Sequence, residues 1–175
     1  MNLPIDIEKL SIFTHNSLKI SIITVCFNSE KFIQEAIESV INQTHQDIEY
    51  IIVDGGSKDK TVDIIKSYSK KITKYISEPD KGIYDAMNKG LKMATGDYIG
   101  ILNSDDFYIH NEVIANVVNE LKQKQTDSLF ADLIYVENTN PLKQVRYWKS
   151  KPFIKNSFKK GWHPPHPTFF VKNEI

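Results

Sequence analysis

The residues best suited to chemistry in this chain of 175 residues are Asn103, Ser104, Asp105 and Asp106, which directly follow the apolar run 99–102. An apolar run that stops at acids is typical of a buried strand whose carboxyl end opens into a ligand site. Two adjacent carboxylates repel each other, and a hard divalent cation such as Mg²⁺ or Mn²⁺ relieves that repulsion. The same pattern also fits a turn in which Asp106 caps the helix that follows.

A second acid ends an earlier apolar run. Asp54 follows residues 50–53 and precedes Gly55, Gly56 and Ser57. The two glycines permit a positive φ and a close approach of the backbone to a ligand. Asp54 can therefore accept a hydrogen bond from a nucleotide base or a ribose hydroxyl. The alternative is an ordinary helix-entry turn, in which Ser57 or a nearby acid caps the next helix.

Strand-like and helix-like segments alternate along most of the chain and predict the elements that position these residues. Strands are expected at 19–27, 49–53, 74–77, 97–102 and 128–136. Helices are expected at 30–42, 60–69, 83–94 and 111–123. This alternation predicts an α/β fold, a mostly parallel sheet with helices on both faces. Asn28, Asp54, Asp80 and Asn103 then lie at carboxyl ends of strands, where such sheets bind ligands.

The pattern changes after residue 137, where a turn at 138–141 precedes a predicted strand at 144–149. The stretch that follows is basic, with Lys151, Lys155, Lys159 and Lys160. These lysines form either a solvated basic face or a surface for phospholipid head groups or a lipid-linked diphosphate.

Composition narrows the class of protein. The net charge is zero, which gives no support to nucleic-acid binding. One cysteine, Cys26, excludes an internal disulfide framework and fits a reduced, cytoplasmic setting. No apolar run approaches the roughly 20 residues that span a bilayer, and the first residues do not read as a secretory signal. We therefore expect a cytoplasmic protein.

Other classes of α/β protein fit the sequence less well. The first strand is followed by Asn28-Ser-Glu rather than by the glycine-rich turn of a dinucleotide-binding oxidoreductase or a nucleotidyltransferase. A receiver domain would place acids at the end of that strand, where this chain has Val25-Cys26-Phe27.

The order and spacing of six segments resemble a family-2 glycosyltransferase of the GT-A fold, most similar to bacterial enzymes of surface polysaccharide and lipopolysaccharide synthesis in the cell envelope. The segments are residues 20–28, 39–44, 52–61, 78–90, 94–100 and 102–107. The resemblance implies a Rossmann-like nucleotide-sugar-binding core at 19–137. Residues 1–18 are expected to form an N-terminal extension, and residues 138–175 the start of an incomplete acceptor-side region.

The resemblance also implies roles for individual residues. Asp54 is expected to bind the base, usually uracil, and Asp80 to approach the ribose, diphosphate or donor sugar. Asp105 matches the second, metal-binding acid of the family's Asp-x-Asp motif, and Asn103 replaces the first. The full set expected to bind the nucleotide sugar is Thr24, Phe27, Asn28, Asp54, Asp80, Asn88, Asn103, Ser104 and Asp105.

The resemblance implies Mn²⁺ or Mg²⁺ as the cofactor. Asp105 is its expected ligand, and His163 or His166 is a further candidate, because neutral imidazole suits Mn²⁺. Each histidine could instead only support the proline-rich loop around it. A cation held by Asp105 would neutralise the nucleoside diphosphate as it leaves.

The expected reaction transfers a sugar, with inversion, from a UDP-sugar to a glycan or lipid-linked acceptor, with peripheral contact at the cytoplasmic face of the membrane. Inversion needs a general base for the acceptor hydroxyl. The family's late carboxylate has no convincing match in this sequence, because Glu174 is next to the last residue. We therefore expect the base beyond Ile175. The alternative function is a non-catalytic module that binds a nucleotide sugar and lacks the base.

Overall fold

The structure is a computed structural model that describes residues 17–137 and 140–174. Its strands are Ile20–Cys26 (β1), Ile48–Asp54 (β2), Lys74–Ser77 (β3), Tyr98–Ile101 (β4), Ser128–Leu129 (β5), Leu133–Glu137 (β6), Asn140–Trp148 (β7) and Phe170–Lys172 (β8). Its α-helices are Ile33–Ile41 (α1), Thr61–Ser67 (α2), Ile83–Met93 (α3) and Val113–Lys124 (α4). The predicted extension at 1–18 lies almost entirely outside the described residues.

Six strands form one sheet in the order β3-β2-β1-β4-β8-β5. β1 pairs in parallel with β2 and β4, and β2 pairs in parallel with β3. β8 is antiparallel to both of its neighbours, β4 and β5. The predicted α/β fold with a mostly parallel sheet is confirmed, with one inserted antiparallel strand.

Helices cover both faces of this sheet, as predicted. On one face, apolar residues of α1, α2 and α4 pack on alternate residues of β1 and β2, including Ile20, Ile22 and Ile52. On the other face, Ala86 and Met87 of α3 pack on Ile23 and other residues of the same strands. Burial on both faces explains why β1 is apolar throughout most of its length and shows little alternation.

The strand predicted at 128–136 is wrong as a single element. The structure splits it into β5, which pairs with β8, and β6, which forms a separate two-stranded sheet with β7. Residues 130–132 lie between β5 and β6. β7 begins at Asn140, earlier than the strand predicted at 144–149, and therefore includes the last residues of the turn predicted at 138–141. Residues 138–139 lie outside the described part.

The segment between β7 and β8 reaches the sheet. The segment between β7 and β8 contains short 3₁₀ turns at Phe158–Lys160 and His166–Thr168, and the second of these contacts β4. Among the described residues, no helix is both long and apolar enough to cross a bilayer.

Candidate functional site

The loops after β1 and β2 are held together by hydrogen bonds at the carboxyl edge of the sheet. The backbone N–H of Asn28 donates to Ser57 Oγ at 2.8 Å, and Asn28 Oδ1 accepts from the N–H of Lys58 at 2.9 Å. Asn28 itself has a positive φ of 49°, a conformation that asparagine tolerates better than most residues. Phe27, which directly precedes this turn, is 61% exposed.

Asp54 is the anchor of the β2 loop. Its side chain is fully buried, and its carboxylate accepts hydrogen bonds from the N–H groups of Gly56 and Ser57, at 3.2 and 3.0 Å, and from both the Ser57 and Ser77 hydroxyls. Cys26 Sγ donates weakly to the same carboxylate. In this structure Asp54 therefore does not offer a free acceptor to a base, which differs from the role predicted for it.

Burial of Cys26, followed by the charge of Asp54, raises the pKa of the Cys26 thiol far above its usual value. The thiol therefore stays protonated and serves as a donor rather than as a nucleophile.

Asp80 lies against Gly55, the residue that follows Asp54. A Cβ atom added at Gly55 would lie 2.4 Å from Asp80 Oδ2 and 3.4 Å from Phe27 Cδ2, so only glycine permits this approach. Asp80 Oδ1 accepts from the N–H of Gly82 at 2.8 Å. Within the described part of the chain, no hydrogen bond reaches Oδ2. Phe27, Gly55 and Asp80 thus form a surface with one aromatic ring and one half-buried carboxylate oxygen.

The loop after β4 is fixed to the loop after β1. Ser104 is buried, and its hydroxyl is 2.8 Å from that of Ser29. This contact positions the neighbouring Asn103 and Asp105, while Ser104 itself faces the protein rather than a ligand. The predicted contact of Ser104 with the donor stays a prediction.

Thr24 is likewise removed from the site. It is fully buried, and its hydroxyl pairs with that of Tyr50 at 3.1 Å. Side chains alternate between the two faces of β1, and Thr24 lies on the same face as Ile22 and Cys26, inside the core. Asn88 is exposed in the middle of α3, and its predicted contact with the donor stays a prediction.

Asn103, Asp106 and His166 meet at the carboxyl end of β4. Asn103 Nδ2 donates to Asp106 Oδ2 at 3.0 Å and to His166 Nε2 at 2.8 Å. An amide nitrogen only donates, so this arrangement requires the His166 tautomer whose Nε2 carries a lone pair. Burial and the charge of Asp105 raise the pKa of Asp106.

The structure brings His166, and not His163, against this loop. His163 lies in a separate cleft, with its ring edge-on to Trp148 at 5.6 Å between centroids.

The residues at this point suit a divalent cation only in part. Among the described residues, no group of three His, Cys, Asp or Glu side chains could hold a metal ion. Asp105 is exposed, and the buried oxygen Asn103 Oδ1 has no hydrogen-bond partner. A buried acceptor without a partner at this position fits a cation, or a water bound to it, that completes its coordination with phosphate oxygens.

A cavity of about 320 Å³ opens beside Asn103 and His166. Its volume lies in the range of small-molecule sites, about 300–1,000 Å³. The other walls are mainly apolar and come from α3, β4 and the segment that includes β8: Ile83, Tyr84, Met87, Leu91, Ile99, Ile101, Phe169 and Val171. The sequence did not predict this cavity, because the cavity depends on the insertion of β8 beside β4.

The mostly parallel sheet with helices on both faces has the GT-A type of α/β fold, and aromatic, carboxylate and amide groups lie at its carboxyl edge. Residues 21–172 match the model of the protein family described as "Glycosyl transferase family 2", and the chain belongs to this family.

Curated relatives are glycosyltransferases. An uncharacterised glycosyltransferase of Methanocaldococcus jannaschii is 33% identical over 163 residues, which cover 89% of this chain and 56% of the relative. The uncharacterised glycosyltransferase EpsJ of Bacillus subtilis is 36% identical over 110 residues, 62% of this chain and 32% of the relative. The chain thus spans between about a third and just over half of the length of these relatives.

Solved structures share the fold. TarS of S. aureus, residues 1–349 in complex with UDP-GlcNAc, matches with a TM-score of 0.70 and 24% identity over 89% of this chain and 46% of that one. The mannosyltransferase PcManGT of Pyrobaculum calidifontis, in complex with GDP-Man and Mn²⁺, matches with a TM-score of 0.60 and 21% identity over 65% of this chain and 35% of that one.

Proposed function

We propose that this protein is a metal-dependent, inverting glycosyltransferase that takes a sugar from a UDP-sugar and passes it to a glycan or lipid-linked acceptor. The observation that carries the proposal is the surface formed by Phe27, Gly55 and Asp80 at the carboxyl edge of the sheet. A nucleoside requires a flat apolar surface for its base and a polar group at the edge of that base, and this surface offers both.

The base of the donor stacks on the exposed ring of Phe27, and its edge N–H donates to Asp80 Oδ2. Uracil carries such a proton at N3, whereas cytosine has a lone pair there. An ionised carboxylate only accepts hydrogen bonds, so it binds uracil and repels the acceptor edge of cytosine. This assignment moves the base-binding role from Asp54, whose oxygens are occupied, to Asp80.

The diphosphate lies toward the loop after β4. Asp105 would hold Mn²⁺ or Mg²⁺ there, with the unpaired Asn103 Oδ1 as a further oxygen ligand. The one lone pair of His166, at Nε2, accepts the Asn103 amide, so in this geometry His166 supports Asn103 and would ligate the cation only by exchanging that contact. The bound cation supplies neutralisation of the charge that develops on the leaving diphosphate. Asn103 brings no charge of its own and fixes the orientation of the His166 ring through its amide. The mannosyltransferase complex with GDP-Man and Mn²⁺ supports a divalent ion in this fold.

The sugar of the donor occupies the cavity beside Asn103 and His166. We place the acceptor outside that cavity. A role in bacterial surface-polysaccharide or lipopolysaccharide synthesis, at the cytoplasmic face of the membrane, belongs to the same proposal and rests on the resemblance described above. The complex of TarS with UDP-GlcNAc supports a uridine donor.

The first test is thermal unfolding of the protein with UDP, CDP, GDP and their sugars, each with Mn²⁺ or with EDTA. A ligand present at 100 times its dissociation constant stabilises the folded state by about 2.7 kcal/mol. We expect stabilisation by UDP and its sugars, little by CDP, and a loss of most of the effect with EDTA. A response to CDP equal to that to UDP would contradict the role of Asp80.

Variants sharpen this test. Asp80→Asn presents both a donor and an acceptor to the base, so we expect it to reduce the preference for UDP over CDP. Asp63→Asn, an exposed acid on α2, is the matched control and should leave that preference unchanged. A preference that survives in Asp80→Asn would exclude Asp80 as the base acceptor.

The alternative function is a module that binds a nucleotide sugar without turning it over. It makes the same contacts with the donor and differs only in that no sugar is transferred. Release of UDP from a donor that stabilises the protein, measured with and without candidate acceptors, separates the two. Stabilisation without any release of UDP above the spontaneous rate would favour the binding module.

A further inference from the structure

A basic segment follows β6 in the sequence. Residues 138–173 contain eight Lys and Arg residues and no Asp or Glu, although the whole chain has no net charge. Five exposed lysines in this segment take part in none of the ion pairs found in residues 17–137 and 140–174: Lys149, Lys151, Lys155, Lys159 and Lys160. Their charge is therefore available to an anionic partner.

Large apolar side chains are exposed among these lysines. Phe153 is 53% exposed, Ile154 71% and Phe158 61%. The rings of Phe153 and Phe158 lie 5.8 Å apart, and both contact the half-buried ring of Trp162, at 5.6 and 5.3 Å. Trp162 in turn packs on Phe130 at 5.5 Å. The exposed side chains are thus supported from beneath by an aromatic cluster.

A polar cleft of about 340 Å³ lies beside this cluster. Lys149, Lys151 and Lys160 line it together with Trp148 and Trp162. Three ammonium groups around one cleft suit a phosphate group, whose oxygens accept charge-assisted hydrogen bonds. We call the cleft and the exposed side chains Phe153, Ile154 and Phe158 together the basic–aromatic face.

We propose that the basic–aromatic face docks this protein on bilayers that contain anionic phospholipid. A lipid phosphate occupies the cleft, and the three apolar side chains enter the boundary between headgroups and acyl chains. Interfacial segments combine these features, because cations are attracted to anionic headgroups while aromatic and aliphatic groups gain from burial in the boundary. The inference goes beyond the donor site and requires no nucleotide.

Single-stranded RNA also binds lysines and aromatic rings. Base stacking uses aromatic side chains, however, and the most exposed apolar residue here is the aliphatic Ile154. The neutral chain as a whole also lacks the basic character of nucleic-acid-binding domains. The bilayer is therefore the partner that these residues fit better.

The test is co-sedimentation of the full chain with vesicles of phosphatidylcholine alone, or of phosphatidylcholine and phosphatidylglycerol in equal parts, without nucleotide. We expect binding only to the anionic vesicles. A lysine near such a surface contributes about fivefold to partitioning, so Lys149→Gln/Lys151→Gln/Lys160→Gln should lower it about 100-fold. Phe153→Ser/Ile154→Ser should lower it about tenfold or more through lost apolar burial.

The control replaces three exposed lysines elsewhere, Lys66→Gln/Lys70→Gln/Lys71→Gln, which should bind nearly as well as the parent. Circular dichroism on heating shows whether each variant is folded. Equal binding to neutral and anionic vesicles, or an equal loss in both triple variants, would overturn the proposal. Binding to single-stranded RNA oligonucleotides without binding to anionic vesicles would overturn it as well. None of these outcomes bears on UDP binding, so the proposal for the donor site and the proposal for bilayer docking fail separately.

Discussion

At the scale of single residues, two acids near each other have opposite tasks. Asp54 is fully buried and uses both carboxylate oxygens to hold the backbone and hydroxyl donors of its own loop. Asp80 lies nearer the surface and keeps Oδ2 without a donor among the described residues. The difference follows from the sheet, since Asp54 is still part of β2 and Asp80 follows β3 by three residues.

We expect Asp54→Ala to destabilise the fold. The substitution leaves two backbone N–H groups and two hydroxyls without their acceptor, at a cost of about 3 kcal/mol in the free energy of unfolding. Urea denaturation measures this loss, and Asp63→Ala on the surface of α2 should change stability by less than about 0.5 kcal/mol. Unchanged stability combined with lost UDP binding would instead support the role that the sequence predicted for Asp54.

We expect Gly55→Ala to lower the affinity for UDP by about tenfold or more, because the added Cβ displaces the Asp80 carboxylate. The effect should depend on that carboxylate. In an Asp80→Ala background, Gly55→Ala should therefore change the affinity for UDP much less. Titration calorimetry on the four proteins of this cycle gives the coupling between the two positions. Independent, additive losses would show that position 55 acts by another route.

The sequence located these residues but not their orientation. Apolar runs that end in polar residues identified the carboxyl ends of β1, β2 and β4, and Asn103 and His166 do meet there. Whether a polar side chain at such an end faces a ligand or its own loop depends on tertiary contacts. Thr24 is the exception, because its spacing from Ile20 and Ile22 already placed it on a core face.

At the scale of elements, local periodicity predicted β1–β4 and α1–α4 to within a few residues. It did not predict β8, whose three residues Phe170–Lys172 carry no pattern of their own. The strand exists because β4 and β5 both offer it an antiparallel partner. Pairing with β8 also explains why the strand predicted at 128–136 is split. Only Ser128 and Leu129 pair with β8.

Close packing in the sheet predicts the effect of Gly100→Ala. A Cβ at position 100 of β4 would lie 2.6 Å from Phe170 Cε1 of β8, so the ring must shift. We expect a loss of about 1–3 kcal/mol in the free energy of unfolding, as for other overpacked cores, measured by urea denaturation. The smaller side chain in Phe170→Leu should make the added methyl less harmful. A Gly100→Ala variant as stable as the parent would mean that β8 is not held against β4.

Glu49 links three strands near their amino ends. It is buried and accepts hydrogen bonds from Lys74 of β3, from Ser21 of β1 and from the backbone and side chain of Thr95. Burial raises the pKa of Glu49, but these donors outweigh burial and hold the pKa at about 2. Its carboxylate is therefore ionised in the folded protein well below the ordinary range of glutamate.

A lowered pKa makes stability depend on pH. The ionised carboxylate of Glu49 makes its full contribution to the free energy of unfolding above pH 4.5, the pKa of the group in the unfolded chain. This contribution is lost as the pH falls from there toward 2. We expect Glu49→Gln to be less stable than the parent at neutral pH, with a difference that shrinks below pH 4.5. Urea denaturation of both proteins across this range measures the difference. A constant difference at every pH would contradict the assigned pKa.

At the scale of the whole molecule, positive charge is concentrated late in the chain. The eight basic residues of 138–173 are balanced by acids elsewhere, so net charge alone concealed the asymmetry. The proposed donor site, by contrast, combines an aromatic ring with hydrogen-bonding groups at the edge of the sheet. The two surfaces therefore differ in the kind of force that they use.

This difference predicts a difference in salt dependence. Attraction between exposed lysines and an anionic bilayer is screened within about 8 Å at an ionic strength of 0.15 M. We expect binding to anionic vesicles to fall steeply as NaCl is raised, and binding of uridine, which carries no phosphate, to stay nearly constant. Sedimentation and titration calorimetry measure the two. Vesicle binding that persists in high salt would assign it to the apolar side chains alone.

The insertion of β8 between β4 and β5 also determines when the sheet can be completed during synthesis. Tyr98 of β4 pairs with Lys172, a residue far later in the chain. At translation rates of about 5–20 residues per second, the nascent chain holds β1–β4 for several seconds before that partner emerges. During this interval one edge of β4 is unpaired, and unpaired edges attract other chains. Synthesis of this protein therefore includes a period in which chaperone protection of β4 matters most.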